Sequence, residues 1–322
     1  MSFAGSPERI ESRLVPASGF ELDPFRVSGL PRTASIATLR AAFVAAGAPV
    51  AAARILQRRQ PDIVLGGGGY VAGPMVLAAA TRRIPAALTE ADAHLGLANR
   101  LAAPFARRVF LSYPLPGRGG PKYRVVGRPI PRRSRAAVNQ DEARRRFDLP
   151  LDGPVVLVCG GSLGARRLNQ AAVEAFGEDG PAVLHLAGER DYPELAEQVG
   201  RAAYRLLAFT DDFGAALAAA DLVVSRAGGV VWEIAAAGKP ALLVPYPDAT
   251  ADHQTRNARW FERGGGAFLV PEPGLDLRTQ AEELLSAPAR LREMSKSMLH
   301  MARPDAAKIV AEELIALAAA SR

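Results

Sequence analysis

The chain has 322 residues, of which 49% are hydrophobic and 23% are charged, a composition typical of a folded protein of about two domains. Its single cysteine, Cys159, excludes an intramolecular disulfide framework and a multi-cysteine metal site. The first fifteen residues lack the apolar core of a secretory signal. The apolar run Ala41–Ala53 is broken by Pro49 and is too short to span a bilayer.

The net charge of +7 is unevenly divided, since residues 1–135 carry +13 and the remainder carries −6. A basic half suits a nucleic acid, an anionic membrane or a phosphorylated substrate, because each offers a dense negative field. A solvated arginine-rich surface is the alternative. Aromatic residues make up only 6% of the chain and do not interleave with the basic stretches, so the pattern does not favour nucleic acid.

Short apolar runs alternate with longer segments of helical period, which predicts repeated βα units and parallel sheets. The predicted strands are Ile63–Leu65, Ala86–Thr89, Arg108–Leu111, Val155–Cys159, Val183–Ala187, Arg205–Phe209, Leu222–Ser225 and Ala241–Val244. A last helix is predicted over Asp305–Ala320, and the Pro- and Arg-rich stretch Gly127–Arg135 is predicted to link two domains, residues 1–133 and 134–322. Ligands of open parallel sheets bind at the carboxyl ends of the strands, so the turns there are the places to look for function.

Two glycine-rich turns follow predicted strands. Gly66–Gly69 leads through Tyr70 to a helix predicted to begin near Pro74, and Gly160–Gly164 leads to a helix predicted to begin near Arg166. Glycines let the backbone approach a ligand closely, and a helix start presents unpaired N–H groups that bind phosphate. Two such turns suggest a phosphorylated donor and a phosphorylated acceptor. Purely structural glycine turns are the alternative, and neither turn is a P-loop or a Gly-x-Gly-x-x-Gly motif.

Polar groups follow two later strands. Glu233 lies shortly after the glycines Gly228 and Gly229, where a carboxylate accepts hydrogen bonds from vicinal hydroxyls such as those of a ribose. A glutamate favoured by a helix N-terminus is the alternative. His253 and Gln254 end a polar loop that begins at Pro245, and their side chains suit sugar hydroxyls, although a surface histidine is equally consistent with the pattern.

In combination and order, these motifs resemble the MurG family of bacterial glycosyltransferases. The stretches that carry the resemblance are Gly67–Gly73, Gly160–Arg166 with Leu168 and Asn169, Phe209–Phe213, Ser225–Glu233 and Asp252–Asn257. The resemblance spans nearly the whole chain and implies an α/β GT-B fold, in which two Rossmann-like domains with parallel sheets face a central cleft. It also implies transfer of N-acetylglucosamine (GlcNAc) from UDP-GlcNAc to lipid I, which forms lipid II for peptidoglycan, with inversion and without a cofactor or metal.

The resemblance also assigns roles to residues. It implies donor contacts at Asp92, Arg132, Gly161, Ser162, Gly164, Phe209, Thr210, Phe213, Gly229, Val230, Glu233, His253 and Gln254. The diphosphate would lie at Gly161–Gly164, uracil at Thr210, the ribose at Glu233 and GlcNAc at His253 and Gln254. Acceptor contacts are implied at Gly67, Gly68, Gly69 and Tyr70.

The sequence departs from the family pattern in the acceptor half. The family's first strand and glycine loop, which ends in a histidine thought to act on the acceptor hydroxyl, have no counterpart in these residues, so the N-terminal domain is expected to be incomplete and weakened. The family's His-Glu-Gln-Asn corresponds to Thr89–Asp92, and its Gly-Asn-Pro-Val-Arg to Gly127–Pro131, with an arginine only at Arg132. Glu90 or Asp92 is therefore the predicted general base.

Peripheral attachment to the cytoplasmic face of the plasma membrane is also expected, because the basic half suits an anionic leaflet. Leu39–Ile55, followed by Arg58 and Arg59, is the predicted contact, with an ordinary core helix as the alternative. Three alternative functions stay open. They are a UDP-sugar binder without activity, a lipid-sugar transferase with another acceptor, and an NAD-dependent dehydrogenase that uses Glu189, for which the glycine spacing is unsuitable.

Overall fold

The structure is a computed structural model that describes residues 1–25, 36–135, 138–161 and 165–321, without the side chains of residues 36–46 and Tyr70. The strands are β1 (Ser2–Gly5), β2 (Glu21–Pro24), β3 (Val64–Gly66), β4 (Ala86–Glu90), β5 (Arg108–Leu111), β6 (Tyr123–Val125), β7 (Val155–Cys159), β8 (Ala182–Leu186), β9 (Tyr204–Leu207), β10 (Leu222–Ser225), β11 (Ala241–Leu243) and β12 (Ala267–Leu269). The helices are α1 (Glu11–Ala17), α2 (Ile36–Arg59), α3 (Gly69–Thr81), α4 (Leu97–Ala102), α5 (Gln140–Arg146), α6 (Arg166–Phe176), α7 (Tyr192–Ala196), α8 (Phe213–Ala219), α9 (Val231–Ala236), α10 (His253–Arg263), α11 (Leu277–Leu285), α12 (Pro288–Met301) and α13 (Ala306–Ala319).

The chain forms two compact units, an N-terminal unit of residues 1–126 and 308–322 and a C-terminal unit of residues 127–307. This division differs from the predicted domains in two places. It falls at Gly127 rather than after residue 133, because the backbone at Gly127 lies close against Trp232 and Arg303. It also assigns most of α13 to the N-terminal unit, since Val310 is buried in a cluster with Ala87 and Phe110.

The N-terminal unit has two separate parallel sheets, one with β1 and β2 and one with the order β3-β4-β5-β6. Within the described residues β1 pairs only with β2, and β3 pairs only with β4. A cavity of about 660 Å³ lies between the two sheets and is lined by Phe3 and Ala4 of β1 and by Val64 and Leu65 of β3. The neighbouring edges of two parallel strands are therefore left without a strand between them.

The end of α2 packs into the core of the N-terminal unit. Its residues Ala48, Ala52, Ile55 and Leu56 are buried in the core cluster, and Arg58 Nη2 and Arg59 Nε lie 2.6 and 2.8 Å from the carboxylate oxygens of the buried Asp23. The two arginines outweigh the effect of burial and hold the pKa of Asp23 below its usual value. For this part of α2, burial in the core fits the core-helix alternative better than the predicted membrane contact. The side chains of the predicted contact up to residue 46 lie outside the described part of the structure.

The C-terminal unit has one continuous parallel sheet of six strands in the order β12-β11-β10-β7-β8-β9. Every residue of the central strand β7 is buried, as expected for a parallel strand covered by helices on both faces. The chain runs outward from β7 through β8 to β9 and then crosses to β10 on the other side of β7. The order of the strands therefore reverses between β7 and β10, which is where ligands of doubly wound sheets bind.

All eight predicted strands are present with ends within two residues of the prediction, whereas β1, β2, β6 and β12 were not predicted. The predicted last helix matches α13. No helix of the described residues combines the length and the apolar character needed to cross a membrane.

Candidate active site

A cavity of about 210 Å³ opens at the strand reversal of the C-terminal unit. Its walls come from the carboxyl ends of four neighbouring strands and from the 3-10 turn Arg132–Ser134. The lining residues are Pro131, Arg133, Ser134, Cys159, Gly161, Leu186, Ala208, Phe209, Thr210, Phe213, Val230 and Glu233. The structure therefore brings six predicted donor residues together: Gly161, Phe209, Thr210, Phe213, Val230 and Glu233.

The glycine turn after β7 leads into α6. Gly160 has no room for a side chain because a Cβ atom there would collide with Ala165, and Gly161 has a φ of +104°, a backbone conformation that favours glycine. The eleven residues of α6 begin at Arg166, as predicted, so the unpaired N–H groups and positive dipole end of the helix lie beside the cavity. The predicted diphosphate residues Ser162 and Gly164 lie outside the described residues.

The aromatic wall of the cavity is held by a capped turn. Asp212 accepts a hydrogen bond from the Ala215 backbone N–H at 3.1 Å and caps α8. Its own N–H donates to Thr210 Oγ1 at 3.1 Å, so the residues between Phe209 and Phe213 are fixed. Phe209 is 52% exposed, and an exposed ring at a cavity mouth suits stacking of a flat base.

Glu233 lies in the first turn of α9 and is half-buried at the cavity wall. Burial raises the pKa of its carboxyl, while a hydrogen bond with Ser134 and the positive charges of Arg128 and Arg133 act in the opposite direction. Gly229 leaves space that the Arg128 guanidinium occupies, because a Cβ atom at this position would collide with it. The carboxylate is thus an acceptor in a basic, partly desolvated setting.

The predicted sugar residues His253 and Gln254 do not line this cavity. His253 Nδ1 lies 2.9 Å from the Thr250 carbonyl oxygen, and Gln254 Oε1 accepts a hydrogen bond from the Tyr246 N–H at 2.9 Å. Both side chains organise the loop 245–254. Immediately before them, Ala251 and Asp252 have left-handed φ values of 55° and 52°, which are strained for non-glycine residues and occur often at functional sites.

Sequence reasoning selected Arg132, but its neighbour Arg133 lines the cavity. It also missed Ser134, which is buried, and it gave Cys159 no role. Burial raises the pKa of the Cys159 thiol to about 11, so this cysteine is not a reactive nucleophile. The arginine-rich stretch was a visible signal for Arg133, whereas nothing in the sequence distinguishes Ser134.

In the N-terminal unit, α3 begins at Gly69 rather than near Pro74. Gly68 and Gly69 have φ values of +86° and +68°, so glycine is required where the chain turns from β3 into the helix. The predicted acceptor residues Gly67 and Gly68 therefore lead directly into a helix of thirteen residues that begins at Gly69. The side chain of Tyr70 lies outside the description.

The predicted bases differ in their surroundings. Glu90 is only 7% exposed, and its carboxylate accepts hydrogen bonds from Asp92 N at 3.3 Å, Gly96 N at 2.9 Å and Asn99 Nδ2 at 2.9 Å. These bonds fold the loop after β4, which favours a structural role for Glu90 rather than the predicted catalytic one. Asp92 and His94, a residue that sequence reasoning did not select, are half-buried in the same loop.

Within the described residues, no group of three or more His, Cys, Asp or Glu side chains is arranged to hold a metal ion. Glu189, the residue of the dehydrogenase alternative, is exposed and does not line the cavity.

Comparisons with known proteins agree over both units. The model of the glycosyltransferase family 28 N-terminal domain matches residues 2–111, and that of the C-terminal domain matches residues 155–310. The chain is 39% identical to the UDP-N-acetylglucosamine–N-acetylmuramyl-(pentapeptide) pyrophosphoryl-undecaprenol N-acetylglucosamine transferase of Salinibacter ruber, over 98% of this chain and 88% of that protein. It is 40% identical to the Rubrobacter xylanophilus protein of the same name, over 98% of this chain and 94% of that protein.

Solved structures extend this result to the fold. Acinetobacter baumannii MurG has a TM-score of 0.78 and 28% identity, over 97% of this chain and 90% of that one. The calicheamicin glycosyltransferase CalG4, with a TM-score of 0.69 and 18% identity over 98% of this chain and 90% of that one, has a similar fold. The predicted GT-B class, with two Rossmann-like domains of parallel strands, is confirmed. The chain is a glycosyltransferase that belongs to the MurG family.

Proposed function

We propose that this chain transfers GlcNAc from UDP-GlcNAc to lipid I with inversion at the anomeric carbon, and so forms lipid II for peptidoglycan synthesis. The observation that carries the proposal is the cavity of the C-terminal unit, where Phe209, Phe213, Glu233 and Gly161 lie together. Aromatic rings, a carboxylate and a glycine turn at a helix start match the base, the ribose diol and the diphosphate of UDP. Relatives named for this transfer cover nearly the whole chain.

Each part of the donor has a place in this proposal. Uracil stacks on Phe209 and bonds to the backbone of Thr210, and Glu233 accepts hydrogen bonds from the two ribose hydroxyls. The diphosphate lies against the start of α6, where the proposal includes Ser162 and Gly164. Arg133 rather than Arg132 supplies the nearby cation, because Arg133 lines the cavity. His253 and Gln254 meet the GlcNAc hydroxyls at the edge of the site.

The chemical step is one displacement. The acceptor hydroxyl loses a proton and attacks the anomeric carbon, and UDP leaves with the electrons of the bond that breaks. Negative charge grows on the leaving diphosphate, and the positive end of the α6 dipole together with Arg133 stabilises it.

Asp92 is the proton acceptor in this proposal, because it is half-buried whereas Glu90 is only 7% exposed. Asp92→Asn should lower kcat by about 10²-fold or more, the size of a general-base contribution, and should leave UDP affinity unchanged. His94→Gln, in the same loop, is the matched variant. An unchanged kcat for Asp92→Asn together with a reduced kcat for His94→Gln would indicate that His94, and not Asp92, is the general base.

The acceptor lies on the N-terminal unit. The backbone N–H groups at the start of α3, from Gly67 to Gly69, bind the pyrophosphate of lipid I. The N-terminal half has the positive charge that a lipid pyrophosphate on an anionic leaflet requires.

Peripheral attachment to the cytoplasmic face of the membrane is part of the proposal. Leu97, Leu101 and Phe105 recur every four residues along α4 and the turn after it, and they are 61%, 65% and 50% exposed. Arg100 lies in the last turn of the same helix. An apolar stripe beside basic residues is typical of a surface that inserts into an anionic interface. Leu101→Ser should reduce sedimentation with anionic vesicles several-fold, whereas Leu151→Ser, at an exposed leucine of the C-terminal unit, should not.

The deciding experiment measures transfer of labelled GlcNAc from UDP-GlcNAc to detergent-solubilised lipid I by the purified chain. Lipid II formation supports the proposal. UDP binding without transfer to lipid I would leave the two alternatives of an inactive binder and another acceptor, which a panel of lipid-linked sugars then separates. A fluorescence change on titration with NADH and no binding of UDP would instead favour the dehydrogenase.

A further inference from the structure

A buried cation lies at the carboxyl edge of the C-terminal sheet, beside the cavity but not in its wall. Arg226 follows β10 directly and is 7% exposed, and Glu272, three residues beyond the end of β12, is 9% exposed. The two side chains form an ion pair. Burying a charged pair is costly in free energy unless its hydrogen bonds are well satisfied, so the remaining donors of Arg226 should have partners.

The second guanidinium nitrogen of Arg226 binds backbone. Arg226 Nη1 donates to the carbonyl oxygens of Val244 and Pro245, each at 3.2 Å, and the guanidinium carbon lies 5.6 Å from the ring centre of Tyr246. One planar side chain therefore joins the carboxyl ends of β10, β11 and β12. A guanidinium forms such a fork because its donors are fixed in one plane, whereas a lysine ammonium offers only a point charge on a flexible stem.

The residues that Arg226 holds start the loop 245–254. The Tyr246 N–H donates to Gln254 Oε1 at 2.9 Å. The side-chain oxygen of Gln254 is therefore used within the loop, and its NH2 group is the part that can donate to a ligand. On the other side, Asn257 Nδ2 of α10 donates to the Ala227 carbonyl oxygen at 3.0 Å. The loop proposed to meet the sugar is thus tied to the segment 226–233, which ends at the proposed ribose ligand Glu233.

We infer that Arg226, paired with Glu272, is a positioning residue for sugar selectivity. It fixes the loop 245–254 relative to the segment 226–233, so that the hexose and the ribose of one donor are bound together. This inference rests on the proposed function. Loss of the fork leaves uridine diphosphate recognition in place and removes the additional affinity that the GlcNAc group contributes.

The test compares the affinities of Arg226→Lys for UDP and for UDP-GlcNAc by calorimetry. We expect the Kd for UDP-GlcNAc to rise about tenfold or more, because the hexose contacts are lost; this corresponds to about 1.4 kcal/mol or more of binding free energy. The Kd for UDP should change less than about twofold, because UDP makes no hexose contacts. UDP-GalNAc, which differs only at one hexose hydroxyl, should then bind nearly as well as UDP-GlcNAc.

Arg144→Lys is the matched control. Arg144 is 4% exposed and donates to Ala219 O and Leu151 O and to Asp221 in the same unit, but it packs where α5 meets the amino ends of the strands. It should lower the melting temperature as Arg226→Lys does and leave the ratio of the two Kd values unchanged. If both variants change this ratio equally, or if Arg226→Lys weakens UDP and UDP-GlcNAc alike, the inference is overturned.

Glu272→Gln provides a second route if Arg226→Lys does not fold. It removes the charge of the pair while it keeps the shape and an acceptor oxygen, and it should change the ratio in the same direction. An unchanged ratio in a folded Glu272→Gln protein counts against the inference. Failure of the wild-type chain to bind either nucleotide would instead overturn the proposed function.

Discussion

The two units use the same βα architecture but differ in the continuity of their sheets. In the C-terminal unit six parallel strands form one ladder, and the loops at the carboxyl ends of β7 and β10 converge on one cavity. In the N-terminal unit no strand among the described residues joins β1 to β3, and a cavity of about 660 Å³ lies between the two sheets. A continuous sheet positions its loops through many shared hydrogen bonds, so preorganisation of a site follows from sheet continuity as much as from the loop residues.

Both units nevertheless keep a glycine turn before a long helix. Gly68 and Gly69 have positive φ values in one unit, and Gly161 has one in the other. Each turn therefore leads from a strand into the start of a helix. What separates the units is the support behind each turn, since β3 is an edge strand of its sheet whereas β7 lies between two strands.

The largest expected effect tests the site on the continuous sheet. Glu233→Ala removes the acceptor of two ribose hydroxyls, and each hydrogen bond to a charged group contributes about 1.5–3 kcal/mol. We therefore expect kcat/KM for UDP-GlcNAc to fall roughly 10²- to 10⁴-fold. Glu194→Ala, at a carboxylate of α7 that is 57% exposed, should stay within about twofold. Equal decreases of kcat/KM in both variants would contradict the assignment of Glu233 as a donor-binding residue.

The second effect is a difference in stability between the units. Both tryptophans, Trp232 and Trp260, lie in the C-terminal unit, so tryptophan fluorescence reports only on that unit while circular dichroism reports on both. A buried backbone group without a partner costs about 1–3 kcal/mol, so we expect the interrupted sheet to make the N-terminal unit the less stable of the two. With a urea dependence of about 2 kcal/mol per molar, the circular dichroism transition should begin roughly 1 M below the fluorescence transition.

Added UDP sharpens this test. If UDP binds the C-terminal unit, it should move the fluorescence transition to higher urea and leave the first phase of the circular dichroism signal in place. Coincident transitions with and without UDP would mean that the two units unfold together, in spite of the interrupted sheet.

The third effect is a pH dependence that one buried histidine gives to the C-terminal unit. His185 of β8 is buried, with Nδ1 2.8 Å from the Tyr204 hydroxyl and Nε2 3.1 Å from Asn169 Oδ1. Burial lowers the pKa of His185 to about 3, against a small opposing effect of Asp191. As pH falls from about 6.5 towards 3, the unfolded state takes up a proton that the folded state excludes, so stability decreases by about 1.4 kcal/mol per pH unit.

Unfolding free energies from tryptophan fluorescence at pH 7, 6 and 5 measure this decrease. His185→Gln has no titrating group at this position. Its unfolding free energy should therefore change less with pH between pH 6 and 5, by an amount that corresponds to about one proton. Identical slopes in the two proteins would mean that His185 is protonated in the folded state.

The sequence predicted the C-terminal unit better than the N-terminal one, and particular residues explain why. The run Val155–Cys159 is apolar throughout because β7 is buried on both faces, and the turn after it carries glycines that the close contact with Ala165 requires. By contrast, β1 and β2 have four residues each, and two of those in β2 are Asp and Pro. Strands this short offer too few residues for an apolar pattern to be detected.

Contacts between residues that are distant in the sequence are the second reason why the sequence does not predict the whole structure. The helical period of α13 indicates a helix but not the sheet that it covers, and its Glu313 pairs with Arg108 at 3.0 Å in the N-terminal unit. In the same way, the sequence offers Glu90 as a carboxylate at a strand end, while the donors that surround it, such as Asn99, become evident only in the folded loop. Residue types indicate which chemistry is available, and tertiary contacts decide which groups are free to perform it.

The smallest expected effect makes the same substitution in both units. Ala4 of β1 is half-buried and lines the cavity of the N-terminal unit, so Ala4→Val places two more carbon atoms in empty apolar space and should stabilise that unit by about 0.5–1.5 kcal/mol. Ala172 of α6 is 0% exposed in the packed core of the C-terminal unit, where the same added volume should cost about 1–3 kcal/mol. Urea unfolding followed by both signals separates the two changes: the first phase should move up for Ala4→Val, and the fluorescence transition should move down for Ala172→Val. Destabilisation by both substitutions would mean that the space beside β1 is closed in solution, and the contrast between an interrupted and a continuous sheet would then lose its main support.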